Sequence, residues 1–210
     1  MKNELEAEFD KLMKEGDLHF DCYNYEEAEN VIKRAIKLSS KNNLQLKKVE
    51  ALSYLGYMHA KEIGDKEVVR KSYLECIKIL KDIASTERNE IASFYYRLGS
   101  TYYTTNAEKL IEYHEEALKL LNPVTFGYIP HARIHKNLGY AYKKTGEIEK
   151  AERFYLKALQ INREANPERK DDKGWANYIQ EISNFYKAIG NELKYQEFKK
   201  KYEETIKKVS

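Results

Sequence analysis

The chain has 210 residues, 42% apolar and 34% charged, with only nine glycines and three prolines. So few turn formers exclude an all-β sandwich or barrel, which needs a turn signal roughly every ten residues, and point to a helical fold. Its 37 basic and 34 acidic residues leave a net charge of +3, well below that of most nucleic-acid binders.

No apolar run exceeds three residues and the amino terminus is charged from Lys2, so neither a membrane span nor a signal-peptide core is expected. A cytoplasmic location follows as an expectation. Cys22 and Cys76 lack the number and spacing for a disulfide framework or a zinc site and read as reduced thiols.

Taken in chain order, five similar units appear. Residues 5–42 carry Leu12-x-x-Glu15-Gly16-x-x-His19 and then Ala28, Ile32 and Ala35. Residues 45–84 repeat this as Leu52-x-x-Leu55-Gly56-x-x-His59 with Val69, Tyr73 and Cys76. Residues 88–122 carry Tyr95-x-x-Leu98-Gly99-x-x-Tyr102 with Leu110, His114 and Ala117. Residues 128–166 carry His135-x-x-Leu138-Gly139-x-x-Tyr142 with Ala151, Tyr155 and Ala158. The last unit, 172–208, is degenerate: Ile179-x-x-Ile182-Ser183-x-x-Tyr186, then Tyr195, Phe198 and Tyr202. Terminal units of a stacked array depart from consensus because one face has no neighbour.

Spacings of three and four put each set on one face of a helix, so every unit is predicted to be two antiparallel helices. Gly64, Gly146 and Gly190 fall where the first helix turns into the second, and Pro123, Pro130 and Pro167 are expected between units. Glycine inside a helix costs about 1 kcal/mol of propensity. Gly16, Gly56, Gly99 and Gly139 therefore imply a close approach of the partner helix, with small residues expected to face them.

These motifs resemble the tetratricopeptide repeat over roughly residues 5 to 208. Equivalent positions lie 40 to 44 residues apart, against about 34 in the usual unit. Such long units are similar to those of bacterial receptors for short signalling peptides, the Rap-type regulators, and of kinesin light chains. The resemblance implies an all-α, right-handed superhelical solenoid of about five antiparallel helix pairs, forming one domain over 1–210. It also implies a non-enzymatic interaction module with a protein or peptide ligand. Because the first unit begins near residue 5, no helix-turn-helix domain is expected before it, and DNA is not an expected partner.

In this family the concave wall is lined by the first helix of each unit, on the side away from the signature face. That wall would carry Asp10, Lys14, Asp17 and Asp21, then Glu50, Tyr54, Tyr57 and Lys61, then Tyr96, Arg97, Ser100 and Tyr103. Arg133, Lys136, Asn137, Tyr140 and Lys144 follow, and last come Asn177, Gln180, Glu181, Asn184 and Lys187. The series runs from acidic to basic, which would orient an extended ligand with its acidic end near Arg97, Arg133 and Lys136. By resemblance to family members that bind extended peptides, the carboxamides of Asn137, Asn177 and Asn184 could pair with a peptide N–H and C=O. Tyrosines supply contact area with few rotatable bonds. The carboxylate clamp of chaperone-binding members needs a Lys and an Asn where this chain has Met13 and Asp17, so chaperone tails are not expected ligands.

No GxGxxG, Walker A, HExxH or GxSxG motif occurs, and no cofactor is implied. His131 and His135 have the spacing of a metal pair, yet no Cys or carboxylate completes a site and His135 sits at a packing position, so no metal is expected. His19, His59 and His114 read as packing residues for the same reason. The alternative to a groove binder is a scaffold or self-assembling subunit using its convex face or end helices, with Phe198 and Tyr202 as contacts, or a regulatory partner of an enzyme.

Overall fold

The glycine of the first helix marks the place where the second helix comes closest. A Cβ on Gly139 would stand 2.8 Å from Cγ of Tyr155, one on Gly56 2.7 Å from Cε1 of Tyr73, and one on Gly16 2.5 Å from Cδ1 of Ile32. The close approach expected of these glycines is present, but its partner differs from expectation. The facing residue is the large middle member of the second-helix pattern, and the flanking small residues are not what fills the notch. Removing the Cβ makes room for a ring, and Tyr73 and Tyr155 are accordingly only 2% and 1% exposed.

The structure is a computed structural model and describes residues 2–83, 88–122, 128–165 and 173–209. Ten α-helices form among them: α1 (Lys2–Asp21), α2 (Tyr25–Lys41), α3 (Gln45–Met58), α4 (Lys66–Asp82), α5 (Arg88–Ser100), α6 (Ala107–Leu120), α7 (Tyr128–Lys144), α8 (Ile148–Ala165), α9 (Lys173–Ala188) and α10 (Glu192–Val209). No strand occurs among the described residues. Between α3 and α4 the chain makes one π-helical turn, His59–Ile63, closed by Gly64 N donating to His59 O at 2.8 Å.

The chain divides into two compact units, Met1–Thr101 and Tyr102–Ser210. In the first, α1 pairs with α2 and α3 with α4, while α2 packs on α3 and α4 on α5. Phe9, Leu12, Phe20, Ile32, Leu55 and Met58 form its core. In the second, α7 pairs with α8 and α9 with α10, while α6 packs on α7 and α8 on α9. A run of rings links that unit: Tyr155 to Phe185 at 5.2 Å, Phe185 to Tyr186 at 5.2 Å, and Tyr186 to Phe198 at 5.4 Å. Four of the expected helix pairs thus fold inside one unit or the other. The third is divided, with α5 in the first unit and α6 in the second.

The expected turns are in place. Gly64, Gly146 and Gly190 have φ of 87°, 84° and 72°, left-handed values that glycine adopts without a Cβ penalty. The first hairpin uses Tyr23 at φ 63° in the same role. The amides after each turn residue make matching bonds, Asn24 N to His19 O at 2.9 Å, Glu147 N to Tyr142 O at 2.9 Å and Asn191 N to Tyr186 O at 3.0 Å. Pro130 is not in a connection. It is the third residue of α7, where a helix has no intrahelical bond for its missing N–H to lose. Pro123 and Pro167 lie outside the described residues.

Candidate functional site

In the first unit, α1, α3 and α5 present one surface. Met13, Glu50, Tyr54, Tyr57, Glu90 and Arg97 line a cavity of about 580 Å³ there. The structure therefore brings together Tyr54, Tyr57 and Arg97, which the family resemblance implied on a common wall. Tyr54 is half-buried and its hydroxyl donates to Asp17 Oδ1 at 2.5 Å. Burial, then the Asp17 carboxylate, push its phenol pKa up, so it stays a donor. Phe20 packs on the rings of Tyr54 and Tyr57, with centroids 6.3 Å and 6.1 Å away. Asp10 is held by Lys47 at 2.8 Å, and Lys47 also reaches Glu50 at 3.2 Å and covers the Phe9 ring at 4.9 Å. Lys47 and Glu90 escaped the sequence reading. For Lys47 the signal was available, since it lies three residues before Glu50 on the same helix. Tyr96 is half-buried and Arg97 exposed on α5.

In the second unit the facing helices are α7 and α9. Tyr103 stacks on Tyr140 with centroids 4.3 Å apart and planes 11° from parallel. Burial, with smaller contributions from Glu181 and Tyr140, pushes the Tyr103 phenol up to about 12. Lys136 ties α7 to α9: its Nζ lies 3.6 Å from Glu181 Oε1 and 5.9 Å from the Tyr178 ring centroid. Arg133, Asn177, Gln180 and Asn184 are exposed.

Asn137 is placed differently from these. Only 9% of it is exposed, and its Nδ2 meets His114 Nε2 at 3.1 Å. Its amide nitrogen thus joins α7 to α6, an engagement the sequence spacing did not reveal. His114 is fully buried, and burial lowers its pKa to about 3, so the ring is neutral and Nε2 accepts from the amide.

His135 is 8% exposed and its Nδ1 pairs with His131 O at 3.0 Å, with burial lowering its pKa to about 4. The packing role expected of it holds. Cys76 is buried, its thiol pushed up to about 12 by burial, and it behaves as the small apolar residue its position suggested. Among the described residues no three His, Cys, Asp or Glu side chains gather as metal ligands, and no helix is long and apolar enough to cross a membrane. What the two faces offer is recognition chemistry: aromatic rings, carboxamides and paired charges.

Residues 132–164 match the tetratricopeptide repeat family model. Solved structures of similar fold agree. The repeat-sensor STAND signal-transduction ATPase of Pyrococcus horikoshii superposes with a TM-score of 0.74 at 21% identity, over 92% of this chain and 29% of that one. The kinesin light chain TPR-like repeats of P. anserina give 0.71 at 11% identity, over 95% and 94%. BtubC (BKLC) of P. vanneervenii gives 0.66 at 22% identity, over 75% and 64%. The chain thus spans less than two thirds of the length of the first and last of these three. No protein of curated function is detectably similar in sequence. The chain contains a tetratricopeptide repeat and has the fold of tetratricopeptide repeat proteins, as its motifs implied.

Proposed function

We propose that the chain is a non-enzymatic, cytoplasmic interaction module that binds an extended peptide or partner segment on the faces of its first-type helices. The observation that carries this reading is in the second unit. Exposed Arg133 shares a helical face of α7 with Lys136 and Tyr140, and exposed Asn177, Gln180 and Asn184 share one of α9 with Glu181, while Tyr103 stacks on Tyr140 and Lys136 pairs with Glu181. Carboxamides there can serve a peptide backbone's donors and acceptors together, and the stacked rings give a rigid apolar platform. The P. horikoshii neighbour, whose repeats are described as a sensor, is consistent with such a use.

The test is selection of peptides from a displayed random library on the wild-type chain, repeated with Arg133→Ala plus Asn184→Ala. Both side chains are exposed, so helicity and melting should not change. Peptides selected by the wild type should lose at least about tenfold in affinity, some 1.4 kcal/mol. Equal binding by both proteins would move the function to the convex face or the end helices. Asn137→Ala is a poor probe, because it leaves a buried histidine nitrogen without its partner, at about 1–3 kcal/mol of stability.

A further inference from the structure

We propose that the first unit holds a binding site for a small organic acid, a carboxylate on a flat apolar body, in the cavity between the π-turn, the start of α4 and the end of α5. The cavity measures about 470 Å³, inside the range of small-molecule sites. Its composition is one-sided. Lys61, Lys66 and Arg97 border it, and none of its described lining residues is acidic. Tyr57 and Tyr96 form walls, while Val69 and Tyr73, each 2% exposed, form an apolar floor.

The cations are held in position. The Arg97 guanidinium lies beside the Tyr73 phenol and partly offsets the rise that burial gives its pKa, and Lys61 lies over the Phe20 and Tyr57 rings at 5.3 Å and 5.7 Å. An arginine guanidinium presents its N–H groups as a planar fork, which matches a carboxylate.

A second observation points to the same place. His59, the first residue of the π-turn, borders the cavity and is 3% exposed. Its Nε2 lies 3.2 Å from Glu29 Oε2 out of hydrogen-bond alignment, and its Nδ1 has no hydrogen-bond partner in the protein. Buried polar atoms are nearly always satisfied, so this ring calls for a water or ligand as its partner. Gly64 ends the π-turn at φ 87° with nothing within 4 Å of a Cβ placed there, which leaves that edge open. The site stands without the peptide reading, although it shares Tyr57, Tyr96 and Arg97 with the expected groove.

The probe is phenylacetate, titrated into the isotope-labelled full chain while the backbone amides of Ala60, Gly64 and Ser100 are followed by NMR, with phenylacetamide as the uncharged control. Saturable shifts at those amides by ~10 mM are expected, with the control at least about tenfold weaker. Arg97→Gln should weaken binding about tenfold without changing the melting curve, and Lys61→Gln should act in the same direction. Absence of saturable shifts, equal response to acid and amide, or an unaffected Arg97→Gln variant would each overturn the proposal. A pentapeptide ending in a free Phe carboxylate separates the two sources of the head group. If it binds tighter than phenylacetate, the site reads chain ends, and the small-acid assignment fails. The Arg133→Ala plus Asn184→Ala variant should bind phenylacetate like the wild type, so this site and the peptide reading succeed or fail separately.

Discussion

Tyr23 holds a left-handed conformation, φ 63°, at the turn position where three other hairpins place glycine. Its side chain is 78% exposed, so little packing compensates the Cβ strain, which is about 1–2 kcal/mol for an L-residue. Tyr23→Gly should therefore raise stability by about 0.5–1 kcal/mol, once the greater chain entropy of glycine is counted; an unchanged or lower denaturant midpoint would refute this. The buried glycines behave in the opposite way. At Gly139 an added Cβ meets the ring root of Tyr155, which cannot swing aside, whereas at Gly16 it meets the flexible end of Ile32. Overpacking of about 1–3 kcal/mol should outweigh the helix-propensity gain of about 1 kcal/mol at Gly139, and roughly cancel it at Gly16. Chemical denaturation of the two alanine variants gives the order. The pattern of glycines was legible in the sequence because helical spacing exposes it. Which residue fills each notch was not, since that depends on how far the two helices are offset along their axes.

At the scale of elements, periodicity located all ten described helices, and the caps follow known chemistry: Asp65 Oδ1 accepts from Glu67 N and Val68 N to start α4. The π-turn was invisible, because nothing in His59–Ile63 distinguishes a hydrogen bond spanning five residues from one spanning four. The Asn137–His114 link between α6 and α7 was hidden for a related reason. Position 137 borders both the packing face and the open face of its helix, and only the neighbouring helix decides between them. That link has a pH consequence. His114 and His135 keep folded pKa values of about 3 and about 4, below the ordinary histidine value of 6.5, because burial disfavours their charged forms. Groups with depressed folded values take up protons first in the unfolded chain, so stability should be greatest above pH ~6.5 and fall as pH drops toward 4. Melting temperatures measured from about pH 7 to 5, above most carboxylate titrations, should decline. His135→Phe should flatten that decline, and an identical slope in the variant would assign it elsewhere.

For the whole molecule, a net charge of +3 provides little long-range steering, so selectivity has to come from local faces. The two units differ in this respect: the first offers Asp17, Glu50 and Glu90 near Arg97, and the second offers Arg133 with carboxamides. Self-assembly through the last helix was the alternative use, with Phe198 as a contact. The structure instead puts Phe198 in the core of the second unit, 6% exposed and 5.4 Å from the Tyr186 ring. The neighbouring Tyr186 hydroxyl and Lys194 both bind Glu152, at 2.8 Å and 2.5 Å, and so lock α10 and α9 to α8. Phe198→Ala should therefore act on folding and not on association. It should cost about 3 kcal/mol, as truncation of a buried phenylalanine does, and leave the sedimentation coefficient unchanged at temperatures where the variant is folded. Leu193, 84% exposed on the same helix, is the residue whose change to Ser should leave stability nearly untouched. If Phe198→Ala dissociated an oligomer while preserving the melting temperature, the last helix would be an interface and the packing described for it would not hold in solution.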